Sequence, residues 1–314
     1  MVTLSVIMSV YNEPVDWIRE SLDSILKQSF HDFILYIVND NPSRVDVDEI
    51  LSIYQHKDSR VKVIKNKVNL GLTKSLNVVV KLCNSKYIAR MDADDIADLK
   101  RFEKQVNYLD CNNEIGVCGT AINYIGCKKG YHRFPLSHND VFLFIETCFA
   151  HPSVMIRGDL LKQYMYNEEY KVSQDYELWT RLYENGIKFA NLADPLLNYR
   201  VSGIQVSSMK SDLQYELSIL LRRRALTAYC KKNGIKLNID FSNILYEDIV
   251  CLMSQLRLPK PINSILLYYL LLSINSNKEL IKSICRFSTI KIIGKKQAIR
   301  LIYHRIFRHK LKKF

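Results

Sequence analysis

Apolar and polar residues follow two different periods along the first hundred positions of the chain. Continuous apolar runs rich in β-branched residues predict four buried strands, at residues 3–10, 33–40, 61–66 and 86–95. Between these runs, apolar residues recur at every third or fourth position, which predicts helices. Strands that alternate with helices through short connections are typical of a mostly parallel, doubly wound sheet covered by helices. The pattern therefore predicts an α/β fold.

The second half of the chain adds three further elements. Residues 116–126 and 144–157 are apolar enough to return strands to the sheet. Residues 173–186 are predicted to form a helix, because Ser173 is a suitable N-cap, acids occupy the first turn and Gly186 follows the last apolar position.

A change of composition near Ser207 marks a boundary. From there on, the chain is rich in Leu, Ile, Lys and Arg at helical spacing. We expect an α/β domain at residues 1–205 and a mainly helical, basic C-terminal region at residues 206–314.

Polar residues stand just after the predicted strands. Tyr11 and Glu13 follow the first strand, Asp40 ends the second, and Asp92 and Asp94 end the fourth. In doubly wound sheets the ligand binds beyond the carboxyl ends of the strands. We therefore expect these side chains, which are far apart in the sequence, to line one site at this edge of the sheet.

The sharpest of these signals is the run Asp92-Ala93-Asp94-Asp95. Unpaired carboxylates are costly to bury, so three of them at the end of an apolar strand require compensation. A hard divalent cation such as Mg²⁺ or Mn²⁺ supplies it, because it takes oxygen ligands and shares them with substrate phosphates. The alternative is a solvated acidic turn at the start of the next helix. Taken alone, the run favours the alternative, since short motifs often match by chance.

Seven segments together resemble family 2 of the inverting glycosyltransferases, which have the GT-A fold. In sequence order they are SVIMSVYNE, VND, NLGLTKSLN, ARMDADD, HPSVMIR, SQDYELWTRL and YRVS. They cover roughly residues 3–205 and are specific as an ordered set, although no single segment is decisive. The resemblance implies an enzyme that transfers a sugar from a nucleotide-sugar with the help of Mn²⁺ or Mg²⁺.

The resemblance also implies how the donor is held. Tyr11 would stack on a uracil-type base, Asp40 would hydrogen-bond that base, and Glu13 would reach the ribose. Asn69 and Gly71 would form a turn that lets the main chain approach the donor closely.

Three acids would carry the chemistry that the resemblance implies. Asp92 would bind the ribose or the sugar and share in binding the metal, and Asp94 would ligate the metal at the diphosphate. Asp175 would be the general base that takes the proton of the acceptor hydroxyl. One in-line displacement would then invert the anomeric configuration.

Each of these assignments has a structural alternative. Tyr11 is also suited to packing at an edge, and Asp40 to capping a turn with Asn41. Glu13 and Asp175 are favourable acids in the first turn of a helix. Local rules leave both interpretations open, and only the order of the seven segments favours the functional one.

The chain departs from the family pattern at two positions. An Asp pair is common after the second strand, where this chain has Asn39–Asp40. A His is common shortly after the Tyr-Arg dipeptide, but none follows Arg200 here, so a diphosphate contact is missing or replaced. Arg200 is one candidate for that position. With His151, which lies in a segment that the family places near the acceptor, it completes our list of candidate acceptor-side residues.

The net charge of +13 is concentrated at one end of the chain. Residues 278–314 contain twelve basic side chains and one acidic one, which leaves +11. Residues 263–274 form an apolar run that is too short to span a membrane, for which about 20 residues are needed. Three interpretations stay open: a solvated basic face over a small helical core, an amphipathic helix on an anionic membrane, and a nucleic-acid surface.

The membrane interpretation suits a lipid-linked acceptor, because it would hold the enzyme where that substrate lies. No nucleic-acid motif accompanies the basic residues, so no nucleic-acid partner is expected. The chain shows no secretory leader, and its eight cysteines are scattered, which predicts reduced thiols. We expect a cytoplasmic protein, peripheral on the inner membrane, that acts in surface polysaccharide synthesis of the O-antigen or capsule type.

Two other functions fit parts of the sequence. A nucleotidyltransferase also combines an α/β sheet with paired acids, but it usually has a Gly-rich, basic loop near its N-terminus. Residues 9–14, SVYNEP, contain neither Gly nor Lys, which argues against it. Outside enzymes, the alternative is an inactive transferase domain that serves as a membrane- or nucleic-acid-binding module.

Overall fold

A computed structural model describes residues 2–137, 148–202, 211–235 and 246–256, together with Leu267, Leu270, Leu271, Leu280 and Ser283. The chain divides into two compact units. The first contains residues 1–139 and 147–215, and the second contains residues 140–146 and 216–314. The predicted boundary at residue 205 lies outside the described residues and stays a prediction.

Strands and helices alternate in the first unit in the predicted order. The strands are β1 (Leu4–Val10), β2 (Phe33–Asn39), β3 (Val61–Lys65), β4 (Tyr87–Asp92), β5 (Ile96–Ala97), β6 (Ile115–Gly126), β7 (Gly130–His132), β8 (Met155–Arg157) and β9 (Lys188–Val201). The helices are α1 (Val15–Leu26), α2 (Val45–Lys57), α3 (Leu72–Leu82), α4 (Arg101–Cys111), α5 (Gly158–Tyr164) and α6 (Gln174–Glu184). A 3₁₀ turn, His151–Ser153, precedes β8.

The described strands form one sheet in the order β3-β2-β1-β4-β8-β6-β9-β5, with β7 beside β6. The first four strands in this order are parallel to one another, and so are β6 and β9. The short strands β5, β7 and β8 pair antiparallel to their neighbours. The predicted mostly parallel α/β sheet is confirmed.

Burial explains why these segments take these forms. All seven residues of β1 are buried, as expected for a central strand of a parallel sheet. In α1 the buried apolar residues Ile18, Leu22 and Ile25 recur at helical spacing, and in α3 Leu76 and Val80 do the same. Each such side chain stabilises the fold by about 1.5–3 kcal/mol.

Two local predictions are corrected by the structure. The strand expected over 144–157 is limited, among the residues described, to β8, because residues 151–153 turn in a 3₁₀ helix. Ser173 does stand at the N-cap of α6, but its side chain makes no capping hydrogen bond. Its main chain is left-handed, with φ 57° and ψ 23°, whereas a capping side chain requires an extended N-cap residue.

After β9 the structure describes two further helices, α7 (Ser211–Lys232) and α8 (Tyr246–Gln255). Among the described residues, no helix combines the length and the apolar character that crossing a bilayer requires. The cysteines of the described residues are free thiols. Nearly all of the basic tail at 278–314 lies outside the described residues, so its predicted membrane contact stays a prediction.

Candidate active site

The carboxyl ends of β1, β2 and β4 lie side by side. In the sheet register, Ser9 of β1 pairs with Val38 of β2 on one side and with Asp92 of β4 on the other. Adjacent strands are about 4.8 Å apart, so the backbones of β2 and β4 are separated by about 10 Å at this level. The polar residues that follow these strands therefore emerge at one edge of the sheet, as predicted.

Asp40 is buried and holds a loop in place. Its Oδ1 accepts hydrogen bonds from the Asn66 amide and from the main-chain N–H of Leu70, both at 2.8 Å. Its Oδ2 accepts the N–H of Gly71 at 2.9 Å. Gly71 has a φ of +82°, which a residue with a side chain adopts only under strain. The carboxylate thus fixes the turn that carries the exposed Asn69.

Asn39, where an acid is common in the family, orders the main chain. Its buried amide donates to Asp48 at 2.7 Å, and its side-chain oxygen accepts the N–H of Asn41 at 2.9 Å. Asn41 in turn donates to the main-chain oxygen of Tyr11 at 3.3 Å. The turns after β1 and β2 are therefore tied together. The Tyr11 ring is 42% exposed beside them, in a position where a planar group can stack on it.

Glu13 is half-buried at the same edge. Burial raises the pKa of its carboxyl, and the negative charge of Asp92 raises that pKa further. The N–H of Tyr11, which donates to Glu13 Oε2 at 2.7 Å, opposes the rise. Glu13 and Asp92 therefore interact across the ends of β1 and β4.

Three carboxylates gather in the turn Asp92–Asp95, here called the acidic turn. One oxygen each of Asp92, Asp94 and Asp95 lies within 4.8 Å of the others, and no second such group occurs among the described residues. Asp95 is 1% exposed, and its Oδ1 accepts the main-chain N–H of Arg200 at 2.7 Å. Burial raises the pKa of Asp95 well above its ordinary value, and the charges of Asp92 and Asp94 add to this.

The acidic turn fits a divalent cation. The Oδ2 atom of Asp95 is buried and has no hydrogen-bond partner. A cation that takes oxygen ligands would satisfy such an atom and would relieve the repulsion among the three acids. Asp92, Asp94 and Asp95 are therefore the residues that could hold Mg²⁺ or Mn²⁺.

The sequence analysis assigned no role to a buried arginine beside these acids. Arg90 of β4 is 1% exposed and forms an ion pair with Asp92. Its positive charge opposes the rise in pKa of Glu13, Asp95 and Asp175. A charged residue inside an otherwise apolar strand is the signal that could have identified it.

Asp175 lies in the first turn of α6. Burial raises the pKa of its carboxyl, and the charge of Asp92 raises it further, while main-chain N–H groups of the same turn oppose the rise. The interaction with Asp92 places Asp175 near the acidic turn. A partly buried carboxylate with a raised pKa is suited to accepting a proton.

His151 packs against α6. Its Nε2 lies 2.8 Å from the hydroxyl of Tyr166, and its ring meets those of Tyr166 and Trp179 edge to face, with centroids 5.5 and 6.2 Å away. Burial lowers the pKa of His151 well below its usual value, so the ring is neutral at pH 7. Its acceptor role stays a prediction.

The segment that leads to α6 is fixed by α3. The side chain of Asn77 donates to the main-chain oxygen of Tyr166 at 2.9 Å and to Glu168 at 3.0 Å. Its Oδ1 accepts the N–H of Tyr166 at 3.0 Å. Because α3 starts at the loop that Asp40 holds, one helix connects that loop with the segment before Asp175.

Tyr199, near the end of β9, is a second residue that the motifs did not single out as functional. Burial raises the pKa of its phenol, and the negative charges of Asp92, Asp95, Asp94 and Asp175 raise it further. The phenol therefore lies within range of both the acidic turn and Asp175.

A family model described as glycosyl transferase family 2 matches residues 5–169. The chain belongs to this family. It is 38% identical over 204 residues to an uncharacterized glycosyltransferase of Methanocaldococcus jannaschii, covering 63% of this chain and 70% of the relative. It is 35% identical over 242 residues to the O-antigen biosynthesis glycosyltransferase WbnJ of Escherichia coli, covering 72% of this chain and 92% of the relative.

Solved structures share the fold. TarS 1–349 of S. aureus, in complex with UDP-GlcNAc, has a TM-score of 0.60 at 17% identity, covering 98% of this chain and 92% of that one. The mannosyltransferase PcManGT of Pyrobaculum calidifontis, in complex with GDP-Man and Mn²⁺, has a TM-score of 0.54 at 13% identity, covering 100% and 81%. At these identities the likeness shows the fold alone, which is GT-A. The family and fold predicted from the seven segments are confirmed, and the chain is a glycosyltransferase.

Proposed function

We propose that this chain is an inverting, metal-dependent glycosyltransferase that moves a sugar from a UDP-sugar to a hydroxyl of a glycan or lipid-linked saccharide. The pathway would be surface polysaccharide biosynthesis of the O-antigen or capsule type, which the likeness to WbnJ supports. The observation that carries the proposal is the electrostatic interaction between Asp92 and Asp175. This interaction supports a single site in which the acidic turn would bind the cation and Asp175 would accept the proton, as a single displacement at a nucleotide-sugar requires.

The donor occupies the edge formed by β1, β2 and β4. The exposed ring of Tyr11 stacks on the base, and Asp40, at the end of β2, hydrogen-bonds the base. Glu13 and Asp92 bind the ribose and sugar side. Binding of UDP-GlcNAc by TarS, which shares the fold, supports a UDP-sugar.

The acidic turn would hold the divalent ion. Asp94 and Asp92 would be ligands, and the partnerless oxygen of Asp95 supports a cation at this place. When bound, Mn²⁺ or Mg²⁺ acts as a Lewis acid that stabilises the charge on the departing diphosphate. The binding of Mn²⁺ by the mannosyltransferase of the same fold is consistent with this.

Asp175 is the general base. Its carboxylate takes the proton of the acceptor hydroxyl as that oxygen forms a bond with the anomeric carbon. The bond between the anomeric carbon and the diphosphate oxygen breaks on the opposite face, so the anomeric configuration is inverted. Orientation of the two substrates at one edge supplies much of the rate.

A panel of UDP- and GDP-sugars tests the proposal through nucleotide release and thermal shift with Mn²⁺. We expect one UDP-sugar to stabilise the wild-type fold and to be turned over. Asp94→Ala should abolish both effects, whereas Asp110→Asn, which removes a carboxylate that pairs with Lys86, should leave them unchanged. If the UDP-sugar stabilises Asp94→Ala as much as the wild-type protein, the assignment of Asp94 is contradicted. If only GDP-sugars stabilise the wild-type protein, the assignment of a UDP-sugar donor is contradicted.

The basic tail supplies the second part of the proposal. The +11 charge of residues 278–314, interleaved with apolar residues, attracts an anionic membrane surface. Peripheral binding at the cytoplasmic face would bring the active site to a lipid-linked acceptor.

A further inference from the structure

Arg200 contacts the acidic turn twice. It lies next to the last residue of β9. Its main-chain N–H donates to Oδ1 of Asp95, and its side-chain Nε donates to the main-chain oxygen of Asp94, both at 2.7 Å. One residue therefore holds a side chain and a peptide group of the turn.

The acidic turn is also held from α1. The hydroxyl of Ser21 donates to the main-chain oxygen of Asp92 at 3.0 Å, and the N–H of Asp95 approaches the same oxygen at 3.4 Å. Two carbonyl groups of the turn, those of Asp92 and Asp94, thus have side-chain donors. These bonds fix the orientation of the peptides that carry the carboxylates.

The guanidinium of Arg200 is itself held by α1. It pairs with Glu20 and lies over the ring of Trp17, with 4.8 Å from its central carbon to the ring centroid. The Arg200 side chain is 13% exposed and that of Glu20 is 51% exposed. Arg200 therefore connects the end of β9, the acidic turn and α1.

We propose that Arg200 is a positioning residue that sets the affinity of the acidic turn for its divalent cation. The inference rests on the proposed function, since it concerns the cation assigned there. One carboxylate oxygen each of Asp92, Asp94 and Asp95 lies within 4.8 Å of the others, so their negative charges oppose this arrangement. By holding Asp94 and Asp95 together, Arg200 keeps the ligand oxygens close before the cation arrives, as outer hydrogen bonds do at other metal sites.

The sign of the effect separates positioning from charge. Arg200 is a cation beside a cation site, so a purely Coulombic role predicts that its removal tightens Mn²⁺ binding. Positioning predicts that removal weakens binding by about 10- to 100-fold, the range for outer-shell hydrogen bonds of metal ligands. Arg200→Gln removes the charge and the side-chain contacts with Asp94, Glu20 and Trp17, but it keeps the main-chain hydrogen bond to Asp95. Arg200→Lys keeps the charge without the planar fork.

The experiment is a Mn²⁺ titration of the full chain, followed by EPR, in the presence of UDP and, in a second series, GDP. We expect Arg200→Gln and Arg200→Lys both to weaken Mn²⁺ binding at least tenfold. The surface variant Glu20→Gln, which leaves Arg200 in place, should weaken it a few-fold. Lys104→Gln, which breaks the ion pair of Lys104 with Asp194 of β9, is the matched control and should bind as wild type does.

The outcomes separate the two proposals. If Arg200→Gln binds Mn²⁺ as tightly as the wild-type protein, or more tightly, the positioning role is overturned. The cation site is unaffected by that result, because the wild-type protein still binds Mn²⁺. Absence of Mn²⁺ binding by wild type in both series overturns the cation assigned under the proposed function, and the positioning role with it. If circular dichroism shows that Arg200→Gln does not fold, Arg200→Lys and Glu20→Gln take its place. Mn²⁺ affinities of both variants equal to that of the wild-type protein overturn the inference, and weaker affinities of both support it.

Discussion

Besides burial, which is the larger cause, the charge of Asp92 raises the pKa of Asp175, although one residue ends a strand of the parallel half of the sheet and the other lies in the first turn of a late helix. The two carboxylates can interact only because the carboxyl edge of the sheet and the N-terminal turn of α6 meet at one place. This relationship distinguishes Asp175 from a helix acid whose role is purely local, since a local role requires no partner on β4.

Asp175→Asn should lower turnover by about 10²- to 10⁴-fold, the contribution of a general base, while UDP binding stays within about twofold of wild type. The amide cannot take the proton of the acceptor hydroxyl, but the donor edge is unaltered. Nucleotide release and calorimetry with UDP measure the two quantities. Asp159→Asn is the matched control, because Asp159 is an acid in the first turn of α5 and is exposed. Equal turnover of the two variants would show that Asp175 is not the general base and only stabilises the start of α6.

His151 should make the folding stability depend on pH below about 6.5. The pKa of folded His151 is well below its ordinary value of 6.5, so beneath pH 6.5 the unfolded chain binds a proton that the folded chain does not. The contribution of His151 to stability therefore falls as the pH falls through this window. Between pH 7 and pH 5.5 the loss from one such group is about 1 kcal/mol.

His151→Gln should reduce that loss by about 1 kcal/mol, because Gln does not titrate but can still hydrogen-bond Tyr166. Urea unfolding of the metal-free protein at the two pH values gives the difference. His56→Gln, at an exposed position in α2, should leave it as in wild type. The same pH dependence in His151→Gln and wild type would show that another group is responsible.

The fold and the edge of the site could be predicted because they depend on local patterns. Strand–helix alternation implies a doubly wound sheet, and residues that follow parallel strands must share an edge. The placement of Asp40 and Asp92 at one edge could therefore be predicted without coordinates. Arg90 and Arg200 could not be assigned in this way. Their partners are set by the packing of β4 and β9 against other elements, and sequence spacing carries no record of these contacts. The left-handed main chain of Ser173 is likewise imposed by its surroundings, since its residue type favours an ordinary cap.

Gly71→Ala should weaken UDP binding as well as the fold. No atom would touch the added methyl group within 4 Å, but the φ of +82° strains any residue with a side chain, at about 1–3 kcal/mol. Relaxing that strain would move the Gly71 N–H away from Asp40, which orders the donor loop. Calorimetry with UDP and urea unfolding measure the two effects.

Gly186→Ala provides the matched control for Gly71→Ala. Gly186 lies just after the C-terminal end of α6 and has a φ of +77°. As at Gly71, an added methyl group would meet no atom within 4 Å. Gly186→Ala should lose a similar amount of stability and keep wild-type UDP affinity. If both variants bind UDP equally well, the Asp40 loop does not contribute to donor binding.

The basic tail should bind anionic vesicles through its charge. Each Lys or Arg near an anionic surface contributes about 1 kcal/mol, so replacing Arg308, Lys312 and Lys313 by Gln should weaken binding about 100-fold. Flotation of the full chain with vesicles that contain phosphatidylserine measures this at low salt. Added salt should weaken vesicle binding by the wild-type protein to the level of the variant, because salt screens the attraction between the charges and the surface.

A second triple variant separates the tail from the overall positive charge of the chain. Lys57, Lys62 and Lys81 are exposed in the first unit, and their replacement by Gln removes the same three charges. This variant should float as the wild-type protein does. Equal loss of binding in both triple variants would mean that net charge, and not the tail, attracts the vesicles. If the tail variant instead floats as well as the wild-type protein, the tail charges have no membrane role, because a surface interaction that depends on them cannot survive their removal.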